Sequence, residues 1–348
     1  MSENRSRKKT RIFLFLILLL LLLLLCGLAY VYQSVVQSPE RQVVAAGVAG
    51  VEFEFAAYAI EGGGFNGRMD DPSGVAYDGD DRIYVTLPTM DMVAVFDGDG
   101  RNGRVFVQED MSVQERDSLE DYLVISPLGI DVDDDGNVYV ACDKKAAVVV
   151  FSPEGEKLRE IRAMHPRYVH VSGDRVYVLG EGTMVVYDKS GTELGRWGTF
   201  GRGPDQLSWS AGLTVAPDGT ILIADTNNYR VVAFSPELEV LWTFGQAAST
   251  RAEQDVRTLA SPMGITVGAD NRIYVIDGLN SYVRVLSMDG DLLEETLGER
   301  GVKDDQFQLP VGLDHMSDDL FVVADRFNNR ILGVRLNPAE DTAGLESQ

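Results

Sequence analysis

Histidine is scarce in this 348-residue chain, and His165, His170 and His315 define its first candidate chemistry. His170 stands two residues beyond Tyr168, as Asp131 stands two beyond Gly129, Thr214 beyond Gly212, Thr266 beyond Gly264 and Asp314 beyond Gly312. An imidazole and two carboxylates at one recurring position could exchange a proton, and beside a hydroxyl or thiol they could drive nucleophilic attack. No Ser or Cys accompanies them in the pattern. Cys142 ends an apolar run, and the only other cysteine, Cys26, lies in a Leu-rich segment, so the folded part has no intradomain disulfide. Asp131, His170, Thr214, Thr266 and Asp314 are therefore read as the polar lining of a wet channel, with no catalytic residue assigned.

Asp131-Val132-Asp133-Asp134-Asp135-Gly136 imitates the start of a calcium-binding loop. Its twelfth position is Cys142, where such a loop needs a bidentate Glu, and strand-forming residues flank it. Similar turns recur at Asp78–Asp81, Pro217–Gly219 and Ala269–Asn271, which is what tight hairpins select. No metal and no cofactor is expected.

The elements that must position these residues form a repeat. Pro72-Ser73-Gly74-Val75, Pro127-Leu128-Gly129-Ile130, Pro166-Arg167-Tyr168-Val169, Ala211-Gly212-Leu213, Pro262-Met263-Gly264-Ile265 and Pro310-Val311-Gly312-Leu313 each begin an apolar strand. An Asp/Gly turn and a second strand rich in Tyr, Val and Ile follow each one. A period of about 40–50 residues with four short strands per unit is the signature of a β-propeller. The sixth copy stops after its third strand, and Glu52–Ile60 is the run that can supply its fourth. The expectation is an all-β, six-bladed propeller over residues 51–337, latched by an N-terminal strand that removes the open edge.

Two third-strand entries, Asp225-Thr226-Asn227-Asn228-Tyr229-Arg230 and Asp325-Arg326-Phe327-Asn328-Asn329-Arg330, resemble the NHL-repeat family of six-bladed propellers. The fifth copy keeps Asp277 and Asn280 but has Tyr282 at the Arg position, and Leu87, Cys142 and Gly180 replace the Asp in the first three. The resemblance implies that Asp225, Asn228, Arg230, Asp325, Asn328 and Arg330 brace the loop between strands two and three. It also implies a test for chemistry: lactonases and an amidating lyase similar to this family hold a metal on residues just before the first-strand Gly. Here those positions are Ser73, Leu128, Arg167, Ala211, Met263 and Val311, which cannot converge several anionic or imidazole ligands on one ion.

Ile12–Tyr32 is an uncharged stretch of 21 residues dominated by Leu, long enough to span a bilayer, and Arg5, Arg7, Lys8, Lys9 and Arg11 precede it. The positive-inside rule keeps residues 1–11 cytoplasmic and exports everything beyond residue 32. Residues 33–50 read as a stalk and 338–348 as a polar tail. Beyond the basic N-terminus the chain holds 26 basic and 53 acidic residues, about 27 negative charges in all, which excludes nucleic-acid phosphate as a partner. Two loops, Gln108–Ser126 and that around Arg251–Arg257, exceed the usual length on one side of the disc, the side that also gathers Tyr122, Arg167, Arg202, Tyr229, Arg326 and Phe327. These six are the candidate partner-binding residues. The sequence thus reads as a single-pass bacterial membrane protein whose extracytoplasmic propeller recognises a protein or envelope polymer without being an enzyme. The alternatives are a hydrolase or lyase of the lactonase or amidating-lyase type and a ligand sensor.

Overall fold

The computed structural model describes residues 51–61, 67–108, 122–246, 257–303 and 306–336. The basic tail, the expected anchor at 12–32, the stalk, most of both long loops and the C-terminal tail lie outside the described residues. Among the described residues no helix is long and apolar enough to cross a membrane.

Six antiparallel four-stranded sheets form the blades of a β-propeller. Blade one comprises Val75–Tyr77, Arg82–Leu87, Met92–Asp97 and Arg104–Gln108; blade two comprises Pro127–Val132, Val138–Cys142, Ala147–Phe151 and Lys157–Arg162. Blade three comprises Tyr168–Ser172, Arg175–Leu179, Met184–Asp188 and Glu193–Trp197; blade four comprises Gly212–Val215, Ile221–Asp225, Arg230–Phe234 and Val240–Phe244. Blade five comprises Pro262–Val267, Ile273–Asp277, Tyr282–Leu286 and Leu292–Leu297. Blade six takes Pro310–Ser317, Leu320–Asp325 and Arg330–Leu336 from the C-terminal end and Val51–Ala57 from the N-terminal end.

Second strands such as Ile221–Asp225 are buried at every position, so they read as continuous apolar runs rather than alternating ones. Their two faces are covered by the two neighbouring blades. Each of the six hydrophobic clusters spans one seam: Ile83 and Val85 of blade one meet Val322 and Ala324 of blade six, for example, and Tyr177 and Leu179 of blade three meet Ile221 and Ile223 of blade four. The chain of seams closes on itself, which is what makes the disc a ring.

Glycine at the head of each first strand has a steric cause. A Cβ on Gly212 would sit 2.2 Å from the Met263 carbonyl oxygen, and one on Gly264 would sit 2.7 Å from the Leu313 nitrogen, because adjacent innermost backbones nearly touch. Blade three departs from the rule: Tyr168 takes the Gly position and buries its ring in the seam with blade four.

The latch is shorter than the sequence suggests. The N-terminal strand pairs Val51 with Leu336 and Ala57 with Ile331, slips register between Phe53 and Phe55, and ends at Ala57 rather than Ile60. Beyond it the chain turns, and Ile60 becomes a buried residue whose N–H reaches the Gly67 carbonyl at 2.8 Å.

Candidate functional site

In an antiparallel blade the entry to strand one and the turn between strands two and three share a face, the loop face, while the other two turns share the opposite face. The loop face is braced by the repeat residues. Asp225 is wholly buried; it accepts the Ser208 N–H at 2.8 Å, the Ser210 hydroxyl at 3.1 Å, the Asn228 amide at 2.8 Å and the Arg230 Nε–H at 3.0 Å. Arg230 then donates to the Gln206 carbonyl at 2.6 Å. Asp325, Asn328 and Arg330 repeat the arrangement in blade six, where Arg330 also reaches the Tyr58 hydroxyl at 2.9 Å. The bonds of Asp225 to Ser208 and Ser210 and of Arg230 and Arg330 to the Gln206 and Gln306 carbonyls tie the loop between strands two and three to the loop entering the same blade. In blade five the missing Arg is supplied two residues later: Arg284 donates to the Thr258 carbonyl at 2.8 Å and the Tyr282 hydroxyl at 3.0 Å. Positions i and i+2 lie on one face of a strand, so the substitution is geometrically natural.

On the innermost strands, Asp131, His170 and Asp314 form an electrostatically linked group. Asp131 accepts the Val171 N–H at 2.6 Å and lies 2.9 Å from His170 Nδ1. Asp314 accepts the Tyr77 N–H at 2.8 Å and the His315 N–H at 2.9 Å. Burial pushes the Asp314 carboxyl up to about 7, reinforced by the Asp131 charge; the two backbone N–H groups and His170 pull the other way. Burial alone would lower the His170 imidazole, but the Asp131 and Asp314 carboxylates outweigh it and the net shift is upward. Both His170 and Asp131 keep some water-accessible surface although protein surrounds them. Thr214 and Thr266, at the corresponding positions of blades four and five, are buried.

This arrangement can hold a proton and staple blade two to three and blade six to one. The Cys142 thiol is buried in blade two and pushed up to about 12 by desolvation, so it is no nucleophile for this group. His165 pairs with Asp143 at 3.1 Å on the loop face, and His315 Nε2 lies 3.0 Å from the Asp318 carbonyl on the opposite one. Among the described residues no three His, Cys, Asp or Glu side chains are grouped to hold a metal ion. Asp133, centre of the calcium-like turn, is spent on Asn137, the Tyr139 hydroxyl at 3.1 Å and Lys189 at 3.2 Å.

The candidate partner residues fare differently from one another. Phe327 is 60 % exposed and Arg202 is exposed, whereas Tyr229 is half-buried. Arg326 forms a two-pronged ion pair with Asp71, one arm at 2.7 Å, and so is already engaged. Tyr122, partly buried, lends its carbonyl to the buried Lys145. Arg167 stacks its guanidinium over the Trp209 ring, 4.5 Å from the centroid.

Sequence reasoning missed most of the exposed apolar surface. Leu123, Met164, Phe200, Trp209 and Val302 stand exposed on loops entering first strands, Leu279 and Phe327 on loops between strands two and three, and Tyr58 just beyond the latch. All lie on the loop face. The other large exposed apolar residues described, Leu158, Leu194, Val240 and Leu241, lie on outer strands, and none occupies an Asp/Gly turn. Only the turn composition hinted at this asymmetry, since Asp and Gly give the opposite face little to bind with.

Residues 211–234, the first three strands of blade four, match the NHL repeat. No curated protein matches the sequence significantly. Solved structures share the architecture at low identity. A Bacteroides thetaiotaomicron protein of unknown function superposes with a TM-score of 0.59 at 15 % identity, over 82 % of this chain and 75 % of its own. A gluconolactonase from Xanthomonas campestris gives 0.56 at 14 %, over 85 % and 93 %. A catalytically inactive virginiamycin B lyase from Staphylococcus aureus with quinupristin gives 0.54 at 13 %, over 76 % and 80 %. At such identity the likeness is one of fold alone. Residues 211–234 are thus an NHL repeat set within a six-bladed β-propeller.

Proposed function

We propose that this chain is a bacterial membrane-anchored, extracytoplasmic recognition module that binds a protein or envelope polymer on its loop face and performs no catalysis. The supporting observation is the one-sided display of apolar side chains: among the described residues the loop face carries Phe327, Leu279, Trp209, Phe200, Met164 and Val302 exposed on a rigid frame, and the turn face carries none of that size. Exposed large apolar groups gathered on one side of a domain mark a contact surface, and aromatic residues contribute most to such contacts. Ile12–Tyr32 would hold the propeller to the membrane with residues 1–11 in the cytoplasm.

Capture from detergent-solubilised membranes tests this reading. Phe327→Ala with Leu279→Ala should sharply reduce recovery of one cross-linked partner without lowering the melting temperature. Charge reversal in the Asp78–Asp81 turn should leave recovery intact. The opposite pattern places the contact surface on the wrong side.

A lyase or lactonase reading is kept by the His170–Asp131–Asp314 group and by the activities named for the neighbours of similar fold. Against it stand the backbone N–H groups that already occupy both carboxylates.

A further inference from the structure

Tyr168 at the Gly position makes the seam between blades three and four unlike the others, and the two residues flanking that seam on the loop face are Arg167 and Trp209. Arg167 directly precedes Tyr168; Trp209 precedes the first strand of blade four and holds a left-handed φ of 53°. The Arg167 guanidinium lies over the Trp209 ring, and its Nε is buried with no hydrogen-bond partner. Among the described residues no carboxylate pairs with it: Asp143 and Glu181 act on it only through space, burial weakens its hold on its proton, and Arg326 of blade six adds repulsion. Three other arginines of this face differ in kind. Arg230, Arg326 and Arg330 each have a carboxylate within ion-pair distance.

A guanidinium never gives up its charge in a protein, and a buried Nε–H without an acceptor costs free energy that a ligand reaching the half-buried Arg167 can offset. Its planar fork fits a carboxylate with two parallel hydrogen bonds. Beside it, Trp209 is 43 % exposed, and Phe200, 53 % exposed, stands on the same inter-blade loop. A single acidic group next to an apolar side chain matches this pair of features. A polyanion does not, because the chain's net charge of −23 repels any extended run of negative charge while leaving one carboxylate little to overcome.

We propose that Arg167, stacked on Trp209 at the seam of blades three and four, is the binding site for the carboxylate of an acidic side chain in a peptide segment of the partner, with the neighbouring apolar side chain of that segment resting on Trp209 and Phe200. The inference rests on the recognition reading above and assigns it a chemistry.

Isothermal titration calorimetry on the full-length chain tests it with three probes: the acetylated, amidated dipeptide Phe-Glu, its Phe-Gln isostere, and inorganic phosphate. One Phe-Glu should bind per chain, about tenfold or more tighter than Phe-Gln, as expected for hydrogen bonds to a charged group. Arg167→Gln should erase that preference, and Arg167→Lys should lose most of it while keeping the charge. Trp209→Phe should weaken both peptides together. Equal binding of the two peptides, no binding of either, phosphate binding more tightly than Phe-Glu, or retention of the preference in Arg167→Gln would each overturn the proposal. The Lys variant, checked by its melting temperature, guards against loss of fold. Failure here with Phe327-dependent capture intact removes only the carboxylate site, whereas loss of both removes the face.

Discussion

The Asp314 carboxylate of blade six accepts the backbone N–H of Tyr77 in blade one, 237 residues away in sequence, at 2.8 Å. Asp131 makes the same bond to Val171 across the seam of blades two and three. A carboxylate two residues into a first strand therefore acts as a staple to the next innermost strand, and two of the residues read as channel lining each tie one seam of the ring.

Stability should rise on mild acidification. Asp314 sits at about 7 in the folded chain against an ordinary 3.8, so between those values the folded state keeps a proton the unfolded chain has lost, and stability falls as pH climbs through that window. His170, raised above 6.5, acts in the same direction: its ionic contribution is complete below the ordinary value and lost as pH rises through the raised one. Asp133 and Glu160, both lowered, oppose this only in more acidic solution. Thermal melts from about pH 8 to about pH 5 should show an increasing midpoint, and Asp314→Asn should flatten most of that slope. A midpoint that falls over this range in the parent chain contradicts the assignment.

The buried and exposed ion pairs of blade six should separate cleanly. Arg330 and Asp325 are essentially inaccessible, so Arg330→Ala strands a carboxylate in the interior and should cost about 3–5 kcal/mol in denaturant unfolding. Arg335, which pairs with Glu54 and Asp319 at the surface, should give no resolvable change on replacement by Ala.

Gly212→Ala should destabilise the propeller by about 1–3 kcal/mol or more, since the new methyl meets the Met263 carbonyl oxygen of the next blade rather than a yielding side chain. Gly195→Ala, on an outer strand with only Leu238 Cδ1 at 3.5 Å, should be close to neutral by the same measurement. Equal losses at both sites would mean that contact between innermost backbones is not what selects glycine.

The blades were legible in the sequence because the innermost strands obey one steric rule and the second strands one burial rule, and both leave marks on residue type. The braces at Asp225 and Asp325 were legible because they use residues three and five apart. Arg284 was not, since its role moved two positions while keeping its face, and a motif read by fixed spacing cannot follow that. The pairing of His170 with Asp131 crosses a seam between blades and depends on which rotamers meet there. Trp209 beneath Arg167 escaped for a related reason: the two stand on loops entering different blades, and no spacing within one repeat joins them. Arg326 was legible as a loop-face residue, but its engagement by Asp71 comes from the segment before blade one, which no repeat unit contains.

The shared sixth blade also sets an order of events during synthesis. Glu54 leaves the ribosome among the first residues of the described chain, yet its partner Arg335 follows 281 residues later. Until then the Val51–Ala57 segment has no strand to join, and blade one has no neighbour for the face that Val322 and Ala324 will cover. Five blades can stack as they emerge, but none can complete the circle, so an arc with two open edges precedes the native disc. The acidic surface that keeps the finished protein apart from its neighbours is then most needed before the protein is finished.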